Sequence, residues 1–255
     1  MAGFWGLFDY TKPGKGVKKT QGAEKSSLFL YFEILGRKFW DLIKLNLIFM
    51  LFCLPVITIG PALAARSYIL REFVKEKPVF LWSDFKDKFL ENFKQALPVG
   101  LLQLFTTVLF ALNIYYLTMQ LDLNEIIRLF FIGLTGAVFL LFSYVYYYVY
   151  TLLVTFELSY TNIYRNSLIF AFQGFLRNTL VGILKIALLT FLGFLLYFSF
   201  AIHPLFFFFL VLIVFFFSFA LDGYTEMFIT YPLISKFLKT EEETEETESI
   251  FQDHL

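Results

Sequence analysis

Three stretches without a charged residue decide what this chain can become: residues 97–119, 129–156 and 186–221, which hold 23, 28 and 36 positions. At a helical rise of about 1.5 Å per residue, even the shortest covers the roughly 30 Å hydrocarbon layer of a bilayer. The longest is nearly twice the roughly 20 residues one crossing needs and is interrupted only by His203 and Pro204, so it predicts two helices turning at 201–204. Composition agrees, because 58% apolar residues, 37 phenylalanines and a mean hydropathy of +0.69 exceed what a soluble surface can hide. The fold expected is an all-α, polytopic membrane bundle of about five to six inserted helices in the cell membrane, with the lipid bilayer as its first partner. Charge is balanced, with 21 basic and 21 acidic residues, so no basic excess argues for nucleic acid.

The remaining segments flank these spans. Residues 1–27 are polar, Gly- and Lys-rich and free of an apolar leader core, which predicts a flexible basic arm and no cleavable secretory signal. Around Leu35 and Phe39, around Phe85, Phe89 and Phe93, and over 161–175, apolar residues recur at helical spacing among charges and amides, which predicts amphipathic interfacial helices. Ser83 is the expected N-cap of the second. Each amphipathic segment runs through a polar elbow into an apolar one, at 35–42, 89–96 and 175–182, a repetition that fits either duplication or convergence. Residues 239–255 carry Glu241, Glu242, Glu243, Glu245, Glu246 and Glu248 and predict a disordered acidic tail. The membrane domain is therefore 28–238, with inserted segments at 39–59, 62–75, 97–119, 129–156, 178–201 and 204–226.

Sidedness turns on 45–65, an apolar run broken by Pro55, Gly60 and Pro61. If it crosses once, the eight basic residues up to Lys44 lie outside, against the bias that keeps Lys and Arg in the cytoplasm. If it enters, turns at 55–61 and returns through 62–75, both termini are cytoplasmic and only Arg128 of the 21 basic residues faces outward. The hairpin is the preferred reading, its second arm short or re-entrant. Arg66 then has to snorkel or find a buried acid.

Four motifs, LFDYTKPGKGV at 7–17, FCLPVITIGPA at 52–62, YILREF at 68–73 and FLWSDFKDKFLENFKQA at 80–96, resemble the YesL-like membrane proteins of Gram-positive bacteria, a group known as a domain of unknown function. The resemblance extends over residues 4–235. It implies a small multi-span membrane protein associated with carbohydrate uptake, and hence a sugar transporter complex as partner; it supplies no catalytic residues.

Ionisable side chains at membrane depth are expensive, which makes each a candidate for function. Glu157, Asp222 and Glu226, the last two four apart on one helical face, are expected at the cytoplasmic ends of spans, with Arg66 and Arg165 approaching from the same side. They read either as helix-end salt bridges or as a polar pocket for a cation, proton or headgroup. Tyr144, Tyr146, Tyr147, Tyr148 and Tyr150 read as an aromatic belt at the interface or a stacking surface for a sugar. His203 reads as a polar helix break, and Cys53, the one cysteine, as a buried structural thiol. Gly60 with Ala64, and Gly133 with Ala137, offer small-residue faces for helix packing. No Cys/His metal spacing, nucleotide loop or catalytic triad is present, so no cofactor and no enzymatic activity are expected. An accessory or assembly component of a sugar transporter is the first reading, a small transporter or channel the second, and a membrane enzyme acting on lipid-linked sugar a weaker third. The first two differ in that a carrier needs a polar cavity at mid-membrane depth, whereas an accessory protein can be packed solid.

Overall fold

A computed structural model describes residues 27–119, 121 and 124–252, with side chains excluded at positions 201, 213 and beyond 237. The basic arm, including the motif at 7–17, lies outside the described residues. Every described element is helical: α1 (Ser27–Arg37), α2 (Phe39–Cys53), a 3-10 turn (Val56–Thr58), α3 (Ile59–Val74), α4 (Leu81–Glu91), α5 (Phe93–Met119), α6 (Glu125–Leu153), α7 (Tyr160–Gln173), α8 (Phe175–Ile202) and α9 (Pro204–Gln252). Four of them, α5, α6, α8 and α9, are long and apolar enough to cross a membrane.

These four form two hairpins. The turn into α6 is capped by Asn124, whose Oδ1 accepts the Ile126 N–H at 2.9 Å. The turn into α9 is His203, whose extended backbone ends α8 and whose Nδ1 accepts the Leu205 N–H at 3.2 Å, the polar break its sequence predicts. Pro204 opens α9, where a missing N–H costs nothing.

The segment at 45–65 breaks at Pro55, not at Gly60 and Pro61. Those two enter the first turn of α3, so the first segment ends at Cys53 rather than 59 and the second begins at Ile59 rather than 62. The Thr58 hydroxyl closes the turn against the carbonyls of Phe52 (2.5 Å) and Pro55 (2.7 Å). The tip then meets α5 backbone to backbone: a Cβ on Gly60 would lie 2.8 Å from Gly100 Cα and closer still to Ala96 O. Gly100 is the eighth residue of α5, about 10 Å along it. Against the long helices, the α2–α3 hairpin therefore turns back at roughly a quarter of their length.

Short as it is, α3 is the hub of the packing, touching α2, α4, α5, α6 and α9. Its small residues allow this: Ala62, Ala64 and Ala65 are fully buried, followed by Ile69, Leu70 and Phe73. Arg71 clamps α3 to the end of α6 through Thr155 Oγ1 (2.6 Å) and Val154 O (3.4 Å) while pairing with Glu72 at 2.9 Å. Glu76 ends the element with φ 55, its N–H donating to Phe73 O and that of Lys77 to Glu72 O, both at 3.0 Å. Its carboxylate accepts from Arg37, tying α1 to α3 and raising the Arg37 pKa above its ordinary value.

Three amphipathic helices, α1, α4 and α7, feed the elbows. Lys38 (φ −100, ψ 11), Asn92 (φ −92, ψ 3) and Gly174 (φ −89, ψ 12) share one backbone conformation. Each donates its N–H to the carbonyl four residues back and accepts from the N–H four residues on, and each precedes a phenylalanine. The third break thus falls just before the expected elbow at 175–182, because Gly174 rather than the polar residues supplies the bend. Ser83 is the third residue of α4 rather than its cap; the N-cap is Phe80, whose N–H donates to Asp84 Oδ2 at 2.9 Å. Finally, α9 carries helical backbone to Gln252, glutamate being a good helix former.

Candidate functional site

Between the two long hairpins lies a cavity of about 770 Å³, within the roughly 300–1,000 Å³ typical of ligand sites. Gln103, Thr107, Phe139, Phe142, Ser143, Tyr146, Tyr147 and Tyr150 form the wall from α5 and α6. The opposite wall, from α8 and α9, is Gly182, Lys185, Ile186, Phe219, Asp222 and Glu226. Phe49, Met50, Cys53, Ile59, Leu63 and Arg66 of the α2–α3 hairpin make the floor. Helix α5 has no substantial packing against α8 or α9, so the hairpins meet through the floor and through α6, which touches both α8 and α9.

An ionic cluster occupies one wall. Lys185 Nζ lies 2.8 Å from Glu226 Oε2 and 3.2 Å from Asp222 Oδ2, and 4.6 Å from the centroid of the Tyr147 ring. The spacing of four between the acids turns both toward one lysine. Arg66 stands apart: among the described residues no carboxylate is within ion-pair distance, its hydrogen bond goes to Phe219 O at 3.1 Å, and its Nε is buried without a partner. It packs over the Phe49 ring, 4.8 Å from the centroid, and against Gly223, where a Cβ would come within 3.1 Å of its Cζ. It makes no ion pair with a buried acid, although its charge acts on Glu226 across the cavity. Asn46, fully buried, fixes this part of α9 by donating to Phe215 O and accepting from the Ala220 N–H, both at 2.8 Å.

Of the sequence candidates, Arg66, Asp222 and Glu226 come together here. Glu157 and Arg165 do not: Glu157 is exposed in the α6–α7 connection and Arg165 on the surface of α7. Asp222 directly follows the charge-free part of α9, and the helix itself continues past Glu226. Lys185 is the eleventh residue of α8, so both sides of the cluster lie well inside their helices.

Lys185 was missed because it borders the charge-free tract from outside; its signal is that it stands alone between Arg177 and Asp222. The tyrosines are not a belt. All five are buried, and their hydroxyls reach inward, Tyr148 to Asn178 Oδ1 (2.8 Å), Tyr150 to Gln103 Oε1 (2.6 Å), Tyr144 to Thr179 (3.2 Å) and Tyr146 to Tyr164 (3.3 Å). The end of α6 is covered by α3, α7, α8 and α9, so side chains read as interfacial become core. Cys53 is half-buried and free, on the cavity floor rather than in the core.

The fold and the cavity define a helical, membrane-type protein with a charged site among its long helices. Residues 42–114, from α2 through most of α5, match the family model described as "Protein of unknown function, DUF624". Comparison with curated proteins and with solved structures gave no match. The matched region contains Arg66, Cys53 and Gln103 of the cavity, but not the Lys185 cluster.

Proposed function

We propose that this protein is a small, non-enzymatic, multi-pass carrier of the cell membrane, and that the cavity between its hairpins is the substrate site. The observation that carries the reading is the convergence of four charged side chains, Lys185, Asp222, Glu226 and Arg66, on one cavity among the long helices. Charges set among apolar helices are costly, and transporter sites are where they are retained. The floor is a hairpin that turns back beside Gly100, read here as re-entrant, a form tolerated at membrane depth where it is buried in protein or lines a cavity. The lining combines these charges with many apolar side chains, which supports an amphiphile as the substrate. Both termini are assigned to the cytoplasm, supported by Arg128 being the one basic residue at the far end of the hairpins in the sequence.

The accessory role is the second reading. It is supported by Phe80, Trp82 and Leu90, large apolar side chains left exposed at the start and end of α4. The kinship with YesL-like proteins belongs to this proposal too; the family match over 42–114 covers three of its four motifs. The sugar-uptake link rests on that kinship alone.

The carrier reading is tested with purified protein in vesicles containing fluorescent-headgroup phospholipid, by quenching the outward-facing label with dithionite. Wild-type protein exposes inner-leaflet label to quencher, Asp222→Asn slows this severalfold, and Glu157→Gln does not. Quenching that stops at the outer-leaflet fraction with wild-type protein removes the carrier and leaves the accessory role.

A further inference from the structure

We infer that the cavity accepts a zwitterionic phospholipid headgroup, its phosphate on Arg66 and its ammonium on Asp222. This rests on the reading of the cavity as a ligand site and names its ligand class.

Charge on the two sides of the cavity is unmatched. Two arginines five residues apart on α3 differ sharply. Arg71 distributes its donors over Glu72, Thr155 and Val154, all protein groups, and is buried. Arg66 uses one of its five N–H donors, on Phe219 O, and among the described residues has no carboxylate within ion-pair distance, Glu226 acting on it only from further off. Its guanidinium is nevertheless held in place, between the Phe49 ring and Gly223, so a planar fork suited to phosphate oxygens is already formed. The opposite excess lies on α9, where one lysine serves two carboxylates. Of these, Asp222 is the more open, its side chain 36% exposed against 19% for Glu226.

The lining is thus neutral in sum but split, with a surplus cation on the floor and a surplus anion on the wall. In a low-dielectric medium the complement of such a pair is a ligand carrying both charges, since an anionic or cationic lipid satisfies one and leaves the other unpaired. The rest of the cavity suits acyl chains, with Phe139, Leu140 and Ile186 lining it.

The test uses the full chain in mild detergent, with an equimolar mixture of dioleoyl lipids bearing phosphoethanolamine, phosphocholine and phosphoglycerol headgroups, read by native mass spectrometry. Wild-type protein retains the two zwitterionic lipids over phosphoglycerol by roughly tenfold, because their cationic group matches the carboxylate that phosphoglycerol leaves unpaired. Asp222→Asn removes the surplus anion and inverts the preference toward phosphoglycerol; Arg66→Gln lowers retention of all three. Equal retention of the three lipids by wild-type protein, a wild-type preference for phosphoglycerol, or an unchanged ratio in Asp222→Asn overturns the assignment. The wild-type ratio decides even where a variant does not fold. Selective retention without lipid movement in vesicles removes the carrier and leaves this site; movement without selectivity does the reverse.

Discussion

The two ends of the long helices obey different rules. At the elbow end, α3, α4 and α7 are packed around them, and buried residues include Tyr148, Tyr224, Phe73, Phe85 and the polar Asn46, Asn178 and Ser167. At the turn end, Leu112, Tyr115, Ile126, Phe130, Phe198, Phe200, Leu205 and Phe208 are exposed, and each hairpin holds to its own partner, as where Thr135 donates to Asn113 across α5–α6. In water the second end would be unstable; in lipid it needs no cover, because hydrocarbon is as apolar as leucine. Specificity is therefore concentrated in the elbow half, and the cavity lies where packed protein gives way to lipid-facing helix.

The largest effect expected falls on the ionic wall. Lys185→Met leaves Asp222 and Glu226 facing each other without their cation, which costs about 3–5 kcal/mol. Thermal unfolding in detergent measures it. Replacing all three, as Lys185→Met with Asp222→Asn and Glu226→Gln, recovers most of the loss, since the penalty lies in the unpaired acids and not in the missing lysine. A triple variant as unstable as the single one would mean that Lys185 acts through packing on Tyr147 instead.

Next in size is the contact between α3 and α5. Gly60→Ala sets a methyl group against Gly100 Cα and Ala96 O, both backbone, so the helices must separate, at a cost of about 2–3 kcal/mol. The same measurement checks it, and native-like stability in this variant would mean that the two helices are not in backbone contact.

How much of this was legible beforehand differs between the halves. The turn end was read almost completely, because freedom from charge and length are all that a lipid-facing hairpin requires: the helices, the break at His203 and the isolation of Arg128 follow from counting. The elbow half was read in outline only. The buried side of α4 was visible in Phe85 and Phe89, which pack on Phe52 at centroid distances of 5.2 and 4.7 Å. That Lys185 is shared by two acids, that Tyr148 is core and that Arg66 has no ion pair depend on contacts between residues 30 or more positions apart, and no local period encodes these.

Glycine gives the finest separation between the two ends. By sequence, Gly60 with Ala64 and Gly133 with Ala137 are the same small-residue motif, one residue pair on each of α3 and α6. In the fold, a Cβ at Gly60 collides, whereas one at Gly133 meets nothing within 4 Å. Gly133→Ala should leave unfolding unchanged or raise stability by up to about 1 kcal/mol, the helix-propensity gain of alanine over glycine. The sign is opposite to that of Gly60→Ala, so the pair of measurements needs no absolute scale. A marked loss at Gly133 would show that this face is covered in the membrane, by a second copy or another protein, and the turn end would then share the packing logic of the elbows.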